Sequence, residues 1–78
     1  MSPEQFKYIR ESFGLTQNEL ATCLGLHQKT ISQYEIGFRK PGPTVVIVMN
    51  LLQQVSHSQS QKLLDLMEQI SEKVKNGN

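Results

Sequence analysis

In the segment HQKTISQYE, residues 27–35, four of the polar side chains combine varied hydrogen-bonding chemistry with a shared position on a helix. They are Gln28, Lys29, Ser32 and Gln33. An amide donates and accepts hydrogen bonds, an ammonium group only donates, and a hydroxyl does either. On an α-helix, these four side chains fall within an arc of about 140°, with Ile31 and Tyr34 on the opposite side. Such an arc is either a solvated polar face or a surface that recognises another molecule.

Nothing in the sequence places a nucleophile beside a base in a recognisable motif, and no glycine-rich loop could cradle a phosphate. The single cysteine, Cys23, excludes an internal disulfide bond, and His27 and His57 show no metal-ligand spacing. We therefore expect no enzyme activity, no metal site and no cofactor. Cys23 follows the apolar pattern of its segment, so we expect a small buried residue without a redox role.

Length and charge restrict the class of partner. A chain of 78 residues is one domain with a marginal core, which association with a second copy would help to stabilise. The net charge of +1 indicates no particular partner. Between residues 25 and 43, however, Glu35 is the only acid, against three basic residues: Lys29, Arg39 and Lys40. If Glu35 is used internally, this segment presents a local basic surface of the kind that attracts nucleic acid.

The apolar stretches of the chain indicate neither a signal peptide nor a membrane span. No basic region precedes an apolar stretch at the start, so we expect no signal peptide. The longest apolar run, VVIVM extended by Leu51 and Leu52, is far shorter than the roughly 20 residues that span a bilayer. With its single cysteine, the chain suits the reducing cytoplasm, and we expect no membrane association.

Five helices are predicted, and no strand is convincing. The first begins after Ser2, which forms a capping box with Gln5, and it ends near Gly14. The fourth covers about 43–55; its TVVIV run alone would suit a strand, but Pro43 and the continuing MNLLQQV favour a helix. The fifth covers about 58–75, with Ser58 and Gln61 in capping-box relation. Residues 1–75 thus form a single domain, and 76–78 a frayed tail.

The second and third helices are joined by a very short turn. Thr16 caps the second helix with help from Glu19, and Gly25 supplies a permissive turn residue. Ala21 allows the two helices to approach closely, since a larger side chain would hold them apart. Apolar residues on both helices complete the contact: Leu20, Leu24, Leu26, Ile31 and Tyr34. This spacing predicts a helix-turn-helix unit over about residues 16–36.

The stretch LTQNELATCLGLHQKTISQYEIGFRKP resembles the helix-turn-helix of the Cro/C1-type (XRE-like) repressor family, over about residues 5–55 of the chain. The matching positions are Gln17, Leu20, Ala21, Gly25, Leu26, Ile31, Tyr34, Glu35, Gly37 and Pro41. The resemblance implies an all-α fold, a compact bundle of five helices like the lambda repressor's DNA-binding domain. In that family the third helix lies in the major groove of double-stranded DNA.

The resemblance also implies roles for individual residues. The polar arc would contact base edges: Gln28, Lys29, Ser32 and Gln33. Residues of the second helix, the third helix and the following loop would contact phosphates: Gln17, Asn18, Thr30, Arg39 and Lys40. Arg10 and Glu35 would form a structural ion pair that fixes the third helix against the first. For each of the DNA-contacting residues, the alternative is an ordinary solvated side chain.

One position departs from the family pattern. The family commonly has Ser or Thr as the N-cap of the third helix, whereas this chain has His27. Histidine is a poorer cap. The imidazole either reaches a phosphate or base, so that protonation would strengthen binding at lower pH, or is an exposed side chain with little role.

Surplus apolar surface predicts a partner. Part of the fourth helix and a stripe on the fifth should exceed what one core can bury, although the fifth helix should also pack back on helices one and four. We expect a homodimer interface at Val46, Met49, Leu63, Met67 and Ile70. The function that this reading favours is a sequence-specific DNA-binding repressor, prokaryotic or phage-like. The alternatives are an antitoxin that binds a toxin protein and regulates its own promoter, and a bridging module that contacts only proteins.

Overall fold

The computed structural model describes residues 1–76, which form five α-helices. These are α1 (Pro3–Ser12), α2 (Gln17–Leu24), α3 (Gln28–Glu35), α4 (Pro43–Gln54) and α5 (His57–Lys75). The described residues contain no strand, and none of their helices combines the length and apolar character that a membrane span requires. Of the predicted tail, residues 77 and 78 lie outside the described residues. The all-α bundle is confirmed, and TVVIV is helical.

The first two helices each begin with a capping box, as their sequences predict. The Ser2 hydroxyl accepts a hydrogen bond from the backbone N–H of Gln5, whose side chain accepts one from the Ser2 N–H. Thr16 and Glu19 form the same pair of bonds at the start of α2. Each pair supplies partners for backbone donors that a helix start leaves free. These two caps therefore fix where α1 and α2 begin.

The turn between α2 and α3 depends on Gly25, whose φ of +68° lies in the left-handed region. L-residues with a side chain adopt this region at a cost of about 1 kcal/mol or more. The turn is closed by the N–H of Leu26, which donates to the Ala21 carbonyl at 2.9 Å. Ala21 is itself buried between the helices. The predicted close approach of α2 and α3 is therefore present, and it uses a small residue at the contact.

The core lies where α1, α3 and α4 meet α2 and α5. Its fully buried members include Phe6, Ile9, Leu20, Ile31 and Leu52. Phe6 also packs edge-on against Tyr34 of α3, with ring centroids 5.4 Å apart. Met49 is 0 % exposed and belongs to this core, so its prediction as a dimer-interface residue is wrong. It occupies the inner side of α4 and is not available to a second copy.

The start of α5 differs from its prediction. Val55 leaves the helical conformation and ends α4, and Ser56 accepts a hydrogen bond from the N–H of Gln59. Helix α5 therefore begins at His57, while Ser58 lies inside its first turn. The serine-rich sequence SHSQS offers several capping serines at close spacing. The earlier one is used, so that only Val55 and Ser56 separate the two helices.

Helix α5 packs along α2 and against α4, whereas the sequence predicts packing on helices one and four. Its first residue stacks on the end of α1: the rings of His57 and Phe13 are nearly parallel, with centroids 5.3 Å apart. Along α2, the thiol of the buried Cys23 lies 3.6 Å from the Leu64 carbonyl. This agrees with the predicted small buried role of Cys23, whose pKa is raised by burial.

Ser60 joins α4 to α5 from inside the protein. It is fully buried, and its hydroxyl donates to the Leu52 carbonyl at 2.6 Å. That carbonyl lies in the last turn of α4, where carbonyl groups have no N–H donor within the helix. The hydroxyl thus satisfies a helix-end carbonyl and ties the two helices together.

Replacing Ser60 with Ala should lower the free energy of unfolding by about 1–2 kcal/mol, because the Leu52 carbonyl would lose its partner in a buried position. The matched control is Ser58→Ala, which removes an exposed hydroxyl from the same helix and should change stability by less than about 0.5 kcal/mol. Urea denaturation followed by circular dichroism measures both. Equal effects of the two variants would contradict this role for Ser60.

Candidate nucleic-acid interface

Helices α2 and α3 bring the predicted base-contacting residues to one open groove of about 580 Å³. Its polar lining consists of Gln17, Gln28, Lys29, Ser32 and Gln33. Gln28 and Lys29 are exposed, and Ser32 and Gln33 are half-buried along the same face of α3. The opposite face of α3 is buried through Ile31 and Tyr34. The predicted division of α3 into an outward polar arc and an inward apolar side is therefore present.

A buried ion pair holds α3 against α1. The Arg10 Nε donates to Glu35 Oε2 at 2.7 Å, and its Nη2 donates to Glu35 Oε1 at 3.0 Å. The two side chains are only 10 % and 3 % exposed. The third guanidinium nitrogen, Nη1, donates to the Leu15 carbonyl at 2.6 Å, in the connection between α1 and α2. This bidentate geometry fixes the end of α3 relative to the rest of the bundle.

Gln17 extends this ion pair to α2. Its amide Nε2 donates to Glu35 Oε1 at 3.0 Å. The sequence predicts Gln17 only as a phosphate contact, and it misses this bond because the two residues are 18 positions apart. An amide nitrogen carries two hydrogens, so one remains for another acceptor. The side chain is thus oriented by Glu35 at the edge of the groove.

The surroundings of Glu35 favour its charged form. Burial alone would raise its pKa, but hydrogen bonds from Arg10 and Gln17 and the charge of Arg10 lower it below the ordinary value of 4.5. The hydrogen bond to Glu35 likewise raises the pKa of Arg10 above its usual range, against the opposing effect of burial. Both groups therefore carry full charge at neutral pH, and neither contributes free charge to the groove.

The remaining predicted phosphate contacts do not line the groove. Asn18 is exposed in the first turn of α2, and Thr30 is half-buried on α3. Arg39 and Lys40 are exposed in the loop after α3. This loop folds back on α3, since the N–H groups of Phe38 and Arg39 both donate to the Gln33 carbonyl, at 3.0 and 3.2 Å. The loop that carries these two basic residues is therefore hydrogen-bonded to α3 through its backbone.

His27 occupies the N-cap of α3 but makes no side-chain capping bond. Its backbone carbonyl accepts the N–H of Thr30 at 3.0 Å and that of Ile31 at 3.3 Å, while the imidazole is exposed. The helix start thus depends on backbone bonds and on the packing of Ile31. The imidazole makes no contribution to the cap, as the poor capping ability of histidine predicts.

Two exposed apolar residues at the groove were missed by sequence reasoning. Ile36 and Phe38 line it together with the polar residues, and they are 74 % and 77 % exposed. A signal was available in the sequence EIGFRKP. Continuing the helical spacing of α3 by one turn places Ile36 on the outward polar side, and Phe38 lies in a glycine- and proline-containing loop.

The predicted dimer-interface residues differ in exposure. Val46, Leu63 and Met67 are half-buried, and the latter two pack on the edge of the core. Ile70 is 60 % exposed and lies between two further exposed apolar residues of α5, Leu66 and Val74. On α4, Ile47 and Leu51 are exposed one turn apart. An apolar surface thus remains on both helices, although it no longer includes Met49.

Comparison with known families identifies the unit formed by α2 and α3. The family model described as Helix-turn-helix matches residues 6–59, more than half of the chain. The chain belongs to the Cro/C1-type (XRE-like) helix-turn-helix family. It is accordingly a DNA-binding helix-turn-helix regulator, in which α2 and α3 form the motif. Comparisons with curated proteins and with solved structures gave no significant match.

Replacing Glu35 with Gln should lower the free energy of unfolding at pH 7 by about 3 kcal/mol, because Arg10 would remain buried without a counter-charge. Folding lowers the pKa of Glu35 below 4.5, the value for an unperturbed glutamate. The stabilisation that the charged carboxylate gives the folded state is therefore complete above pH 4.5, and it is lost as the pH falls through the lower pKa of the folded state. Denaturation curves of both proteins from pH 7 to pH 3 should therefore converge at acid pH.

The control for this experiment is Glu72→Gln, which neutralises an exposed glutamate of α5. Its stability should stay within about 0.5 kcal/mol of the original protein at every pH. A Glu35→Gln variant that matches this control at pH 7 would show that the ion pair does not stabilise the fold.

Proposed function

We propose that this protein is a sequence-specific transcriptional repressor of the cytoplasm, which inserts α3 into the major groove of double-stranded DNA. One observation carries the proposal: the four polar side chains of α3 open on a single groove, while the buried pair of Arg10 and Glu35 fixes the end of the helix. A rigid helix with an outward polar arc is the geometry that direct reading of base edges requires.

The four side chains of the polar arc suit base edges. Gln28 and Gln33 carry amides that match the N6 and N7 atoms of adenine. Lys29 would bind the O6 and N7 atoms of guanine, or a neighbouring phosphate, and Ser32 can donate to or accept from either base. In this proposal, sequence preference is set mainly by the two glutamines.

The residues around the groove would position the duplex. Gln17 has a hydrogen left after its bond to Glu35 and would donate it to a phosphate, with help from the backbone N–H groups at the start of α2. Arg39 and Lys40 would contribute charge from the loop, with weaker contacts from Asn18 and Thr30. None of these contacts reads sequence directly, so their loss should weaken binding to all DNA alike.

We further propose that the protein binds as a homodimer. Two copies would place their α3 helices about 34 Å apart, one turn of the duplex, on a pseudo-palindromic site. The exposed apolar residues of α5, namely Leu66, Ile70 and Val74, support such an interface. A dimer also doubles the number of base contacts, which a domain of this size needs for selective binding.

The second candidate function is that of an antitoxin. The same apolar face of α5 borders a groove of about 430 Å³ against the end of α2, lined by Leu24, Met67 and Ile70 among others. An apolar groove of this kind also suits a segment of a toxin protein. In that case the DNA-binding surface would serve to regulate the protein's own promoter, and α5 would bind the toxin.

Gln28→Ala combined with Gln33→Ala should weaken binding to the preferred site by tenfold or more, because each bidentate pair is worth about 1–3 kcal/mol. The protein's preference for that site over random DNA should fall as well.

Arg39→Ala and Lys40→Ala should instead weaken binding to all sequences. Each should also make the slope of log affinity against log salt shallower by about 0.9. Fluorescence anisotropy at several salt concentrations separates the two effects.

The control for the glutamine variant and for the two loop variants is Lys62→Ala, which removes an exposed charge from α5. It should leave affinity and salt slope unchanged. Unaltered affinity in the glutamine double variant would contradict the assignment of α3 as the reading helix, and an unaltered salt slope would contradict the loop contacts.

Replacing Ile70 with Lys should weaken self-association at least tenfold, because burial of one isoleucine side chain is worth about 1.5–3 kcal/mol. Sedimentation equilibrium of the purified chain measures this effect. Gln69→Lys places the same charge on a neighbouring exposed residue and should have a smaller effect. A purified chain that is monomeric yet forms a stoichiometric complex with the product of an adjacent gene would favour the antitoxin function over the homodimer.

A further inference from the structure

Ile36 and Phe38 form an apolar rim on the proposed DNA-reading groove. They are the two most exposed large apolar side chains among the described residues, at 74 % and 77 %. Both line the same groove as Gln17, Gln28 and Gln33. Scattered exposed apolar residues need no explanation, but a pair at the edge of a polar recognition surface suggests a ligand with an apolar group.

The rim has a defined position relative to α3. Ile36 lies four residues after Ser32 and three after Gln33, so it continues the outward face by one helical turn. Phe38 is fixed through its backbone N–H, which donates to the Gln33 carbonyl at 3.0 Å. Between them, Gly37 has a φ of +80°, and a Cβ there would lie 3.3 Å from the Pro3 ring. The loop is therefore packed against α1, which gives the rim a fixed geometry.

The charges around the rim favour DNA as its occupant. From residue 25 to residue 43, the basic residues are Lys29, Arg39 and Lys40, and the only acid is Glu35. Glu35 is neutralised by Arg10 in a buried pair. An apolar rim within a basic surface that continues the base-reading groove matches a duplex, which presents phosphates on either side of its base edges.

We propose that Ile36 and Phe38 contact the C5-methyl groups of thymines in the major groove and thereby specify thymine within each half-site. This inference rests on the proposed DNA-reading function. The thymine methyl is the apolar group in the pattern that base pairs present in the major groove, where the other groups are hydrogen-bond donors and acceptors. Amide contacts from α3 and apolar contacts from the rim would then read adjacent base pairs by different chemistry.

Uracil in place of thymine removes this methyl group and leaves base pairing intact. The test begins with a preferred site selected from random duplex DNA, in which each thymine is replaced in turn. At one or two thymines, the original protein should lose about fourfold in affinity per methyl, which corresponds to about 0.8 kcal/mol. Fluorescence anisotropy on the substituted duplexes gives this profile.

The double variant Ile36→Ala/Phe38→Ala should bind thymine- and uracil-containing duplexes equally at those positions. Both side chains are exposed, so the variant should fold, and circular dichroism checks this. Tyr8→Ala removes an exposed aromatic side chain from α1, which does not line the groove, and it should keep the original uracil profile. Gln28→Ala should bind more weakly but also keep the loss at those thymines.

Three outcomes would overturn the inference. The first is that no thymine of the preferred site is sensitive to uracil in the original protein. The second is that the loss persists in the double variant, so that another residue contacts the methyl. The third is that the double variant binds DNA normally but loses self-association, which would assign the rim to a protein interface. Failure of the proposed function looks different, since the original protein would then prefer no duplex at all.

Discussion

The arrangement of the DNA-binding surface depends on the Glu35 carboxylate. It accepts two hydrogen bonds from Arg10 of α1 and one from Gln17 of α2, and it stands itself at the end of α3. Three helices therefore meet at one buried charge. Such a pair is costly to form and more costly to break, so its main effect is on geometry. It determines how α3 is oriented, and it leaves the basic residues around the groove without a competing acid.

Much of this could be predicted from the sequence, because several local rules agree. The capping boxes at Ser2 and Thr16 use side chains within three residues of each other, and the turn at Gly25 needs only a residue that tolerates positive φ. The polar arc of α3 follows from helical periodicity. The pairing of Arg10 with Glu35 is different, since 25 residues separate them. It came from resemblance to a family and not from periodicity.

What the sequence missed depends on tertiary packing. Helix α4 is apolar on nearly all sides, so its pattern cannot show that Met49 faces inward while Ile47 faces outward. The choice of Ser56 over Ser58 as a cap follows from the tight α4–α5 turn and from the burial of Ser60. The exposure of Phe38 is likewise invisible to helical periodicity, because the loop bends at Gly37 against Pro3. In each case, contact with a neighbouring helix or loop decides which side chain is buried or caps a helix, and the local sequence pattern does not.

The central claim is that α3 of two copies reads a duplex through its polar arc. Selection of bound sequences from a random pool of duplex DNA tests binding, half-site sequence and symmetry together. The proposed function predicts enrichment of a pseudo-palindromic site, with half-site centres about 10–10.5 base pairs apart. Recovery of sequences with no shared motif at physiological salt, where non-specific phosphate binding is weakened, would contradict it.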